Sequence, residues 1–311
     1  MRHRPHLEVK KPGQLTLVQD FGRYGVTQIG IVPGGPVDDY AYSWANHLLD
    51  NDINCAALEI TLGQAEFVAQ DKCQLALCGG DLQAKLDGVR LPNWSVFIMR
   101  RGQTLSFGLP KNGLRAYLAI KGGFDVPLQL GSCATVAKDK LGGLHSNGRA
   151  LEKGDQLYFH EHRCNTPLRE VSFRFQPNYN LPITLRVIES YQFDQFDNDA
   201  KNAMYQRTFQ ISQHCSRMGY RLTGSTIPAP QHAILSEGIA LGAIQVPPDG
   251  QPIVLLNDRQ TIGGYPKIGC VARIDLPRLA QAKPGQSVSF TPGDLLGLQD
   301  AWCKWAKFFG Y

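Results

Sequence analysis

The polar residues between positions 257 and 267 are the part of the chain best suited to chemistry. They follow a short apolar run at 253–256, and they are Asn257, Asp258, Arg259, Gln260, Thr261 and Lys267, with the pair Gly263-Gly264 among them. Carboxylate, guanidinium and amide groups can bind an anion, and a glycine pair lets the backbone approach a ligand closely. Polar loops beside a buried strand are typical of sites on rigid scaffolds.

A fixed turn precedes this segment. Residues 247–250 read Pro-Pro-Asp-Gly, which joins two restricted φ angles to a flexible glycine and therefore predicts a tight turn. Gln245 and Gln251 flank the turn and extend the polar set.

Strand patterns dominate the chain that must position these residues. Short runs rich in Leu, Ile and Val are bounded by Gly, Pro, Asn and Asp at 14–18, 57–62, 74–78, 96–99, 114–120, 183–188 and 253–256. Asp87-Gly88 lies between alternating residues and predicts a two-residue hairpin. A glycine followed by an alternating strand recurs at Gly102, Gly154 and Gly285, which indicates a reused turn-and-strand unit.

Few helices are predicted. Residues 38–49 carry an apolar face behind a capping Asp38 or Asp39, and residues 275–282 begin with a cap and a proline in the first turn. The tail at 295–309 has an apolar stripe that could dock on this chain's own core, which we favour, or on a partner. The polar stretch 160–180 separates two predicted lobes, 1–165 and 180–311, and the second ends in the amphipathic helix.

Composition excludes several classes of protein. The 311 residues are 43% hydrophobic and 19% charged, with a formal net charge of +5 and no Lys/Arg run, so nucleic acid and membrane partners are not expected. The basic start has no apolar segment behind it, so a signal peptide is not expected either. The eight cysteines form no C-x-x-C pair, and we expect no metal site and a reducing cytoplasm.

Several blocks of sequence resemble one family. They are TLVQDFGRYG (16–25), PGGPVDDYAYSWAN (33–46), ALEITLG (57–63), RAYLAIKGGFDVP (115–127), SRMGYRL (216–222) and the segment 235–268. Together they make the chain similar, from about residue 14 to 290, to the carboxyltransferase subdomain A/B family. That family includes KipA-type proteins, the C subunit of 5-oxoprolinase and part of urea carboxylases. The stretch 133–136 (Cys-Ala-Thr-Val) departs from the family pattern.

The resemblance implies a mainly β chain built as two cyclophilin-like β-barrel lobes with a few short helices. It also implies an enzyme complex that opens 5-oxoproline to glutamate with ATP. In that complex the chain joins two partner subunits, one KipI-like and the other LamB/YcsF-like. The chain has no Walker A or kinase signature. Any ATP contact is therefore expected at a site without a standard motif, and a site shared with a partner subunit is one such option.

The resemblance leaves two alternatives open. The first is the carboxyltransferase component of a biotin-dependent urea or amide carboxylase. The chain has no Met-Lys dipeptide, so covalent biotin on this chain is not expected. The second is a KipA-type regulator that binds a KipI-like protein without chemistry.

The candidate site residues are polar residues of the family blocks. We predict that Asp258, Lys267 and Asp20 are catalytic and that the following bind substrate or an anion: Arg217, Arg221, Gln19, Arg23, Gln245, Gln251, Gln260, Thr261, Gly263 and Gly264. They are expected to share one polar cleft. The structural alternatives are local pairing of Asp20 with Arg23, a surface ion pair at Arg221 and a turn role for Asp258.

Two further expectations concern Glu59 and the histidines. Glu59 lies in an apolar strand and is expected to be buried with a partner, because an isolated buried carboxylate is costly. No catalytic role is assigned to any of the eight histidines.

Overall fold

A computed structural model describes residues 4–230 and 235–311, which form two compact units. Unit 1 contains the chain up to Tyr24, Gly34–Tyr179 and Phe309–Tyr311; unit 2 contains Gly25–Pro33 and Asn180–Phe308. The predicted class, mainly β with a few short helices, is confirmed. The lobe boundaries 1–165 and 180–311 stay a prediction.

The strands of unit 1 form two sheets. The strands are β1 (His6–Pro12), β2 (Leu15–Gln19), β3 (Ala57–Thr61), β4 (Ala65–Ala69), β5 (Cys73–Asp81), β6 (Lys85–Leu86), β7 (Val89–Arg90), β8 (Ser95–Met99), β9 (Thr104–Ser106), β10 (Asn112–Ile120) and β11 (Gln156–Tyr158). One sheet has the order β11-β1-β4-β9-β6-β7 and the other β2-β3-β10-β5-β8. Buried residues such as Leu58, Phe67 and Leu118 form one core cluster of this unit.

Local sequence accounts for two features of unit 1. Asp87 and Gly88 have φ angles of 49° and 82°, the left-handed values that a two-residue hairpin requires, so β6 and β7 pair as predicted. Helix α1 (Asp39–Leu48) begins at the predicted cap, where the Asp38 carboxylate accepts a 2.9 Å hydrogen bond from the Ala41 amide.

Unit 2 contains a closed barrel. Its strands are β12 (Ile183–Glu189), β13 (Phe209–Cys215), β14 (Gly219–Thr223), β16 (Ala243–Gln245), β17 (Ile253–Leu255), β19 (Lys267–Val271) and β20 (Ser287–Pro292). The order around the barrel is β12-β19-β16-β17-β14-β13-β20, and the parallel pairing of β20 with β12 closes it. A separate ribbon pairs β15 (Glu237–Gly238) with β18 (Ile262–Gly263).

The recurrent glycine turn is confirmed in both units. Gly102, Gly154 and Gly285 have φ angles of 85°, 92° and 84°, and each lies two residues before strand β9, β11 or β20. Glycine adopts such values without a steric penalty, which explains why the same turn residue recurs.

The remaining α-helices belong to the second half of the chain. They are α2 (Asn198–Gln206), α3 (Leu276–Ala280) and α4 (Leu295–Phe309), and 3-10 turns lie at Thr27–Ile29, Phe173–Phe175, Phe193–Gln195 and Arg273–Asp275. The helices at the predicted positions 275–282 and 295–309 are confirmed. Helix α2 was not predicted, because it buries only Ala200, Ala203 and Met204 and its polar sequence has no long apolar stripe.

Strands β14, β16 and β17 are neighbours in the barrel, and each has one side toward the barrel core and one side toward the outside. Tyr220 in β14, Ile244 in β16 and Val254 in β17 point into the barrel core. Since successive side chains on a strand alternate between faces, the neighbours of these residues lie on the outside of the barrel. That outer face carries the candidate site.

Candidate functional site

A cavity of about 740 Å³ lies on the outer face of the unit 2 barrel. Its walls combine strands β13, β14, β16 and β17 with the loop that follows β17. The polar residues that line it are His214, Ser216, Arg221, Thr223, Gln245, Gln251, Arg259, Gln260 and Tyr265. We call it the outer-face cavity. Its volume lies within the usual range for small-molecule sites, about 300–1,000 Å³.

Apolar side chains form part of its surface. Ile253 and Leu255 line the cavity from alternate positions of β17. Leu255 also packs with Ala243 and Ile239 in a small cluster separate from the barrel core. An apolar surface with a few convergent polar groups is the usual composition of a ligand pocket.

Gln245 is a buried residue of the cavity wall whose amide nitrogen has no partner among the described residues. The residue is 1% exposed, and its Nε2 makes no hydrogen bond within residues 4–230 and 235–311. A buried amide N–H without an acceptor costs roughly 1–3 kcal/mol. Because Nε2 has almost no accessible surface, it lies behind the wall and does not face the open cavity.

Gly263 makes room for this amide. A Cβ atom at position 263 would lie 2.8 Å from Ile239 Cδ1, 2.9 Å from Gln260 Nε2 and 3.1 Å from Gln245 Nε2. The glycine is thus required by close approach of these side chains. The predicted approach of a ligand to Gly263 and Gly264 stays a prediction.

Arg221 reaches the cavity from β14. Its Nε donates a 2.9 Å hydrogen bond to Gln251 Oε1, and its Nη2 forms an ion pair with Asp249. Asp249 belongs to the predicted turn, which is confirmed because the Gly250 amide donates to the Pro247 carbonyl at 2.9 Å. Arg221 therefore forms an ion pair, as its structural alternative predicted, and it also lies in the cavity wall.

Arg259 is a second guanidinium in the wall. It is 7% exposed, and its Nε donates a 3.0 Å hydrogen bond to the Ile239 carbonyl, with a longer contact of 3.4 Å from Nη1 to the Leu256 carbonyl. Burial lowers the pKa of Arg259 below its ordinary value, because removal from water disfavours the charged form. An anion beside it would offset that cost.

Arg217 and Asp258 form a buried pair. Arg217 Nε and Nη2 donate to the two carboxylate oxygens of Asp258, both at 2.8 Å, and both side chains are 7% exposed. The Asp258 amide also donates to the Arg217 carbonyl at 2.9 Å. This geometry supports a structural role. The predicted catalytic role of Asp258 and the anion-binding role of Arg217 stay predictions.

Lys267 is paired as well. Its Nζ lies 2.5 Å from Glu237 Oε1 and 3.4 Å from the Tyr265 carbonyl. Glu237 also accepts from the Tyr191 hydroxyl and from Gln192 Nε2. The hydrogen bond from Lys267 is the largest cause that lowers the pKa of Glu237 below its ordinary value. A catalytic Lys267 stays a prediction.

The other loop candidates differ in exposure. Gln260 is exposed in the cavity wall, and Gly264 is exposed in the loop after β18. The Thr261 carbonyl accepts a 2.9 Å hydrogen bond from the Ile239 amide, which helps to hold the β15–β18 ribbon. Their contacts with substrate stay predictions.

Asp20 organises a loop of unit 1. Its carboxylate accepts hydrogen bonds from the Gly22 amide at 3.0 Å, from the Cys133 amide at 2.7 Å and from the Ser132 hydroxyl. The loop it holds continues into the stretch 133–136 that departs from the family pattern. The structure therefore gives Asp20 a structural function, and its catalytic role stays a prediction.

Arg23 and Gln19 bind the same part of unit 1. Arg23 donates to the carbonyl oxygens of Ala134 at 2.6 Å and Gln129 at 3.1 Å, and Gln19 Nε2 donates to the Thr135 carbonyl at 3.1 Å. Both residues are at most 1% exposed. These residues belong to unit 1 and the other candidates to unit 2, so the single shared cleft stays a prediction.

Glu59 is buried with partners, as expected. Its carboxylate accepts a 2.7 Å hydrogen bond from the Tyr117 hydroxyl and a 3.1 Å bond from the Val37 amide, and Arg115 Nε lies 3.9 Å away. The acid is 0% exposed. Its bonds connect β3 and β10 of the five-stranded sheet to the segment before α1.

The cavity also contains residues that the sequence did not single out as candidates. Arg259 stood within the polar run 257–261 but was left out of the predicted binding set, and His214 was given no catalytic weight. Ser216 and Tyr265 lie in the family segments 216–222 and 235–268 but were not among the predicted site residues. The alternating pattern of β13 and β14 was the available signal, but it became informative only once the fold showed which face of these strands borders the cavity.

Between residues 4 and 230 and between 235 and 311, no group of three or more His, Cys, Asp or Glu side chains is placed to hold a metal ion. Within the same ranges, no helix combines the length and the hydropathy needed to cross a membrane.

Comparisons with known proteins agree with the fold. The chain is 39% identical over 292 residues to the C subunit of 5-oxoprolinase from Escherichia coli (strain K12), covering 91% of this chain and 90% of that protein. The crystal structure of TTHA0988 is 33% identical with a TM-score of 0.84, and the match covers 94% of this chain and 56% of that one. Kluyveromyces lactis urea carboxylase is 28% identical with a TM-score of 0.88, covering 99% of this chain and 29% of that one.

The fold and the site define a mainly β protein with a closed barrel and an amide- and guanidinium-lined cavity on the outer face of that barrel. The family described as carboxyltransferase domain, subdomain A and B, matches residues 29–292. The chain belongs to this family, as the resemblance predicted.

Proposed function

We propose that the chain is a subunit of an ATP-dependent 5-oxoprolinase complex that opens 5-oxoproline to glutamate. The observation that carries this proposal is end-to-end similarity to a relative named as the C subunit of 5-oxoprolinase, at 39% identity over 91% of this chain and 90% of the relative. The partners in this proposal are two further subunits, one KipI-like and the other LamB/YcsF-like. The proposed location is the cytoplasm, whose reducing environment suits the eight cysteines, all of which are thiols in this structure.

The chemistry requires activation of an unreactive lactam. In the proposed sequence the lactam carbonyl oxygen attacks the γ-phosphorus of ATP, and ADP leaves. Water then adds to the activated carbon, and the ring carbon–nitrogen bond breaks with its electron pair on nitrogen, which takes a proton. A second water releases phosphate from the resulting acyl phosphate and leaves glutamate. Positioned donors and cations stabilise the charge that develops in such steps.

The charges of this chain bear on where ATP binds. Lys267 is paired with Glu237, and Arg217 is paired with Asp258, so the predicted catalytic lysine and the predicted anion-binding arginine already have carboxylate partners. We therefore propose that ATP is held largely by partner subunits. Asp258, Lys267 and Asp20 stay the predicted catalytic residues, and each would have to exchange a present partner to touch substrate.

Reconstitution tests the proposal. The chain is purified alone and also co-expressed with the two partner subunits, and ATP-dependent release of glutamate and ADP from 5-oxoproline is measured. We expect turnover by the assembled complex and little or none by the isolated chain. An inactive assembled complex would overturn the proposed function, and robust turnover by the chain alone would overturn its dependence on partners.

A second candidate is the carboxyltransferase component of a urea or amide carboxylase. The likeness to Kluyveromyces lactis urea carboxylase over 99% of this chain favours it. This activity requires bicarbonate and a biotinylated carrier on another polypeptide. Carboxylation of urea that depends on added biotinylated carrier, without turnover of 5-oxoproline, would select this candidate.

A further inference from the structure

Unit 1 contains a cavity of its own, with a volume of about 500 Å³. We call it the unit 1 cavity. The side chains in its wall that matter here are those of Arg4, Asp125, Leu144, His145, Asp155 and Tyr158. Its volume lies within the usual range for small-molecule sites, about 300–1,000 Å³. No residue of this wall is a candidate for the 5-oxoprolinase site, so what the cavity binds is a separate question.

The Arg4 guanidinium occupies a cation site in this cavity. Its central carbon lies 4.4 Å from the centroid of the Tyr158 ring, and its Nη2 forms an ion pair with the Asp125 carboxylate. An aromatic face beside a carboxylate attracts a planar cation, because the ring quadrupole and the negative charge act on the same group. Arg4 thus fills this site in the way that a ligand would.

The ring and the carboxylate of this site do not depend on Arg4 for their positions. Tyr158 lies in β11, its hydroxyl donates to Gln156 Oε1, and its ring centroid lies 5.5 Å from that of His6. The Asp125 amide donates a 2.8 Å hydrogen bond to the Tyr158 carbonyl. This backbone bond keeps the aromatic ring and the carboxylate adjacent, so the site persists when the Arg4 side chain leaves.

The Arg4 side chain can leave without moving the backbone. The side chain is 57% exposed, and exposed ion pairs and exposed cation–π contacts are both weak. The backbone is held separately, since the Arg4 carbonyl lies 3.0 Å from His6 Nδ1 and the Pro5 carbonyl accepts a 3.1 Å hydrogen bond from the Phe159 amide. A change of rotamer is therefore enough to open the site.

The rest of the cavity wall favours a positive ligand. Asp155 is a second carboxylate in the wall, and it accepts from His145 Nε2 at 2.9 Å and from the Glu152 amide at 2.8 Å. Because a carboxylate only accepts, Nε2 is the donor, and the opposite ring nitrogen of His145 accepts when the ring is neutral. Among the described residues of the wall, Arg4 alone has a permanent positive charge. An anion that displaced it would face two carboxylates.

We infer that the unit 1 cavity binds a small alkylguanidinium, which displaces Arg4 from Tyr158 and Asp125 and places its alkyl chain against Leu144 and Pro127. The guanidinium plane stacks on the ring as Arg4 does, and its N–H groups donate to the carboxylate. The apolar wall favours the methylene groups, because these leave water on binding. This binding site goes beyond the proposed function and does not depend on it.

Ligand-observed NMR titrations of the purified chain test the inference with three probes of one length. Butylguanidinium has both the charge and the plane, butylurea has the plane without the charge, and butylammonium has the charge without the plane. We expect Arg4→Ala to bind butylguanidinium about tenfold more tightly than the wild type does, because the variant has lost its internal competitor. Butylurea should bind about tenfold more weakly than butylguanidinium, and butylammonium should lie between them.

Further substitutions identify the contacts. In the Arg4→Ala background, Asp125→Asn should weaken butylguanidinium about tenfold and leave butylurea unchanged, since only a charge-assisted contact is lost. Tyr158→Leu in the same background should weaken butylguanidinium several-fold. Arg169→Ala removes another exposed arginine, which pairs with Asp50, and is the matched control for Arg4→Ala. It should keep the wild-type affinity for all three probes.

A side chain of another protein is the other source of an alkylguanidinium. The peptide Gly-Arg-Gly has the same head group, but its peptide groups would lose water at the apolar wall formed by Leu144 and Pro127. We therefore expect the peptide to bind Arg4→Ala more weakly than butylguanidinium does. Tighter binding of the peptide would overturn a small-molecule ligand.

Several other results would overturn the site. They are the absence of saturable butylguanidinium binding to Arg4→Ala within about 10 mM, equal affinities for the three probes, displacement by inorganic phosphate, and an Asp125→Asn variant that binds as tightly as its parent. The Asp125 side chain is 39% exposed and asparagine has the same shape, so this variant keeps the fold. It decides the question even if Tyr158→Leu fails to fold.

Discussion

Arg217 and Asp258, which are 41 positions apart in the chain, are joined by two 2.8 Å hydrogen bonds. The pair connects the turn between β13 and β14 to the turn that follows β17. Because both side chains are 7% exposed, the pair acts where water screens charge poorly. The ion pair anchors the start of the loop that contributes Arg259 and Gln260 to the outer-face cavity.

Breaking this pair should cost stability. We expect Asp258→Asn to reduce the free energy of unfolding by about 3–5 kcal/mol, because the Arg217 charge would stay buried without its full partner. Urea unfolding followed by circular dichroism measures it. Asp300→Asn, which disrupts the exposed ion pair with Lys304, is the control and should cost less than about 1 kcal/mol. Equal effects of the two substitutions would contradict a structural role for the buried pair.

A methyl group at position 263 should crowd the side chains that pack against the glycine. Gly263→Ala would bring a Cβ within 2.8 Å of Ile239 Cδ1 and 2.9 Å of Gln260 Nε2, so we expect a cost of about 1–3 kcal/mol in the free energy of unfolding. Differential scanning calorimetry measures this cost. Gly238→Ala is the control on the paired strand, since a Cβ there meets nothing within 4 Å. A harmless Gly263→Ala would show that the space beside Gln245 is not needed.

The aromatic cluster of unit 1 should depend on Phe309. Its ring centroid lies 5.3 Å from that of Trp44 and 5.7 Å from that of His47, and the residue is 7% exposed. We expect Phe309→Ala to cost about 3–5 kcal/mol. Guanidinium unfolding monitored by tryptophan fluorescence measures it. Phe308→Ala changes a residue that is 56% exposed and should cost within about 0.5 kcal/mol. A larger loss at Phe308 than at Phe309 would refute this assignment.

The pair Lys267–Glu237 should contribute to stability in a pH-dependent way. The folded-state pKa of Glu237 lies below its ordinary value of 4.5, mainly because Lys267 donates a hydrogen bond to the carboxylate. The pair's contribution is therefore present above pH 4.5 and is lost as the pH falls through the lowered pKa. We expect Glu237→Gln to be less stable than the wild type at about pH 6, with a difference that shrinks toward about pH 3.

Urea midpoints measured across that pH range test this dependence. Glu161→Gln, at an exposed position, is the isosteric control. A difference between Glu237→Gln and the wild type that stays constant with pH would show that the carboxylate charge is not the cause.

Local features were predictable from the sequence because neighbouring residues decide them. The capping Asp38, the left-handed Asp87-Gly88 hairpin and the turn at 247–250 each depend on contacts within a few residues. The glycine turns at 102, 154 and 285 are also local, because each depends on the positive φ angle of its own glycine. The family blocks then indicated the fold, since their order spans most of the chain, and the similarity over 91% of it agrees.

The composition of the site depended on contacts between distant residues. The sequence shows that Asp258, Lys267 and Arg217 are polar residues in family blocks, but only the fold brings Arg217 to Asp258 and Lys267 to Glu237. The same holds for Gln245, whose Nε2 has no hydrogen-bond partner among the described residues and would lie 3.1 Å from a Cβ at position 263. Residue types and turns were thus determined by the sequence alone. Which side chains have partners was decided by tertiary packing, because burial and pairing energies depend on neighbours that lie far away along the chain.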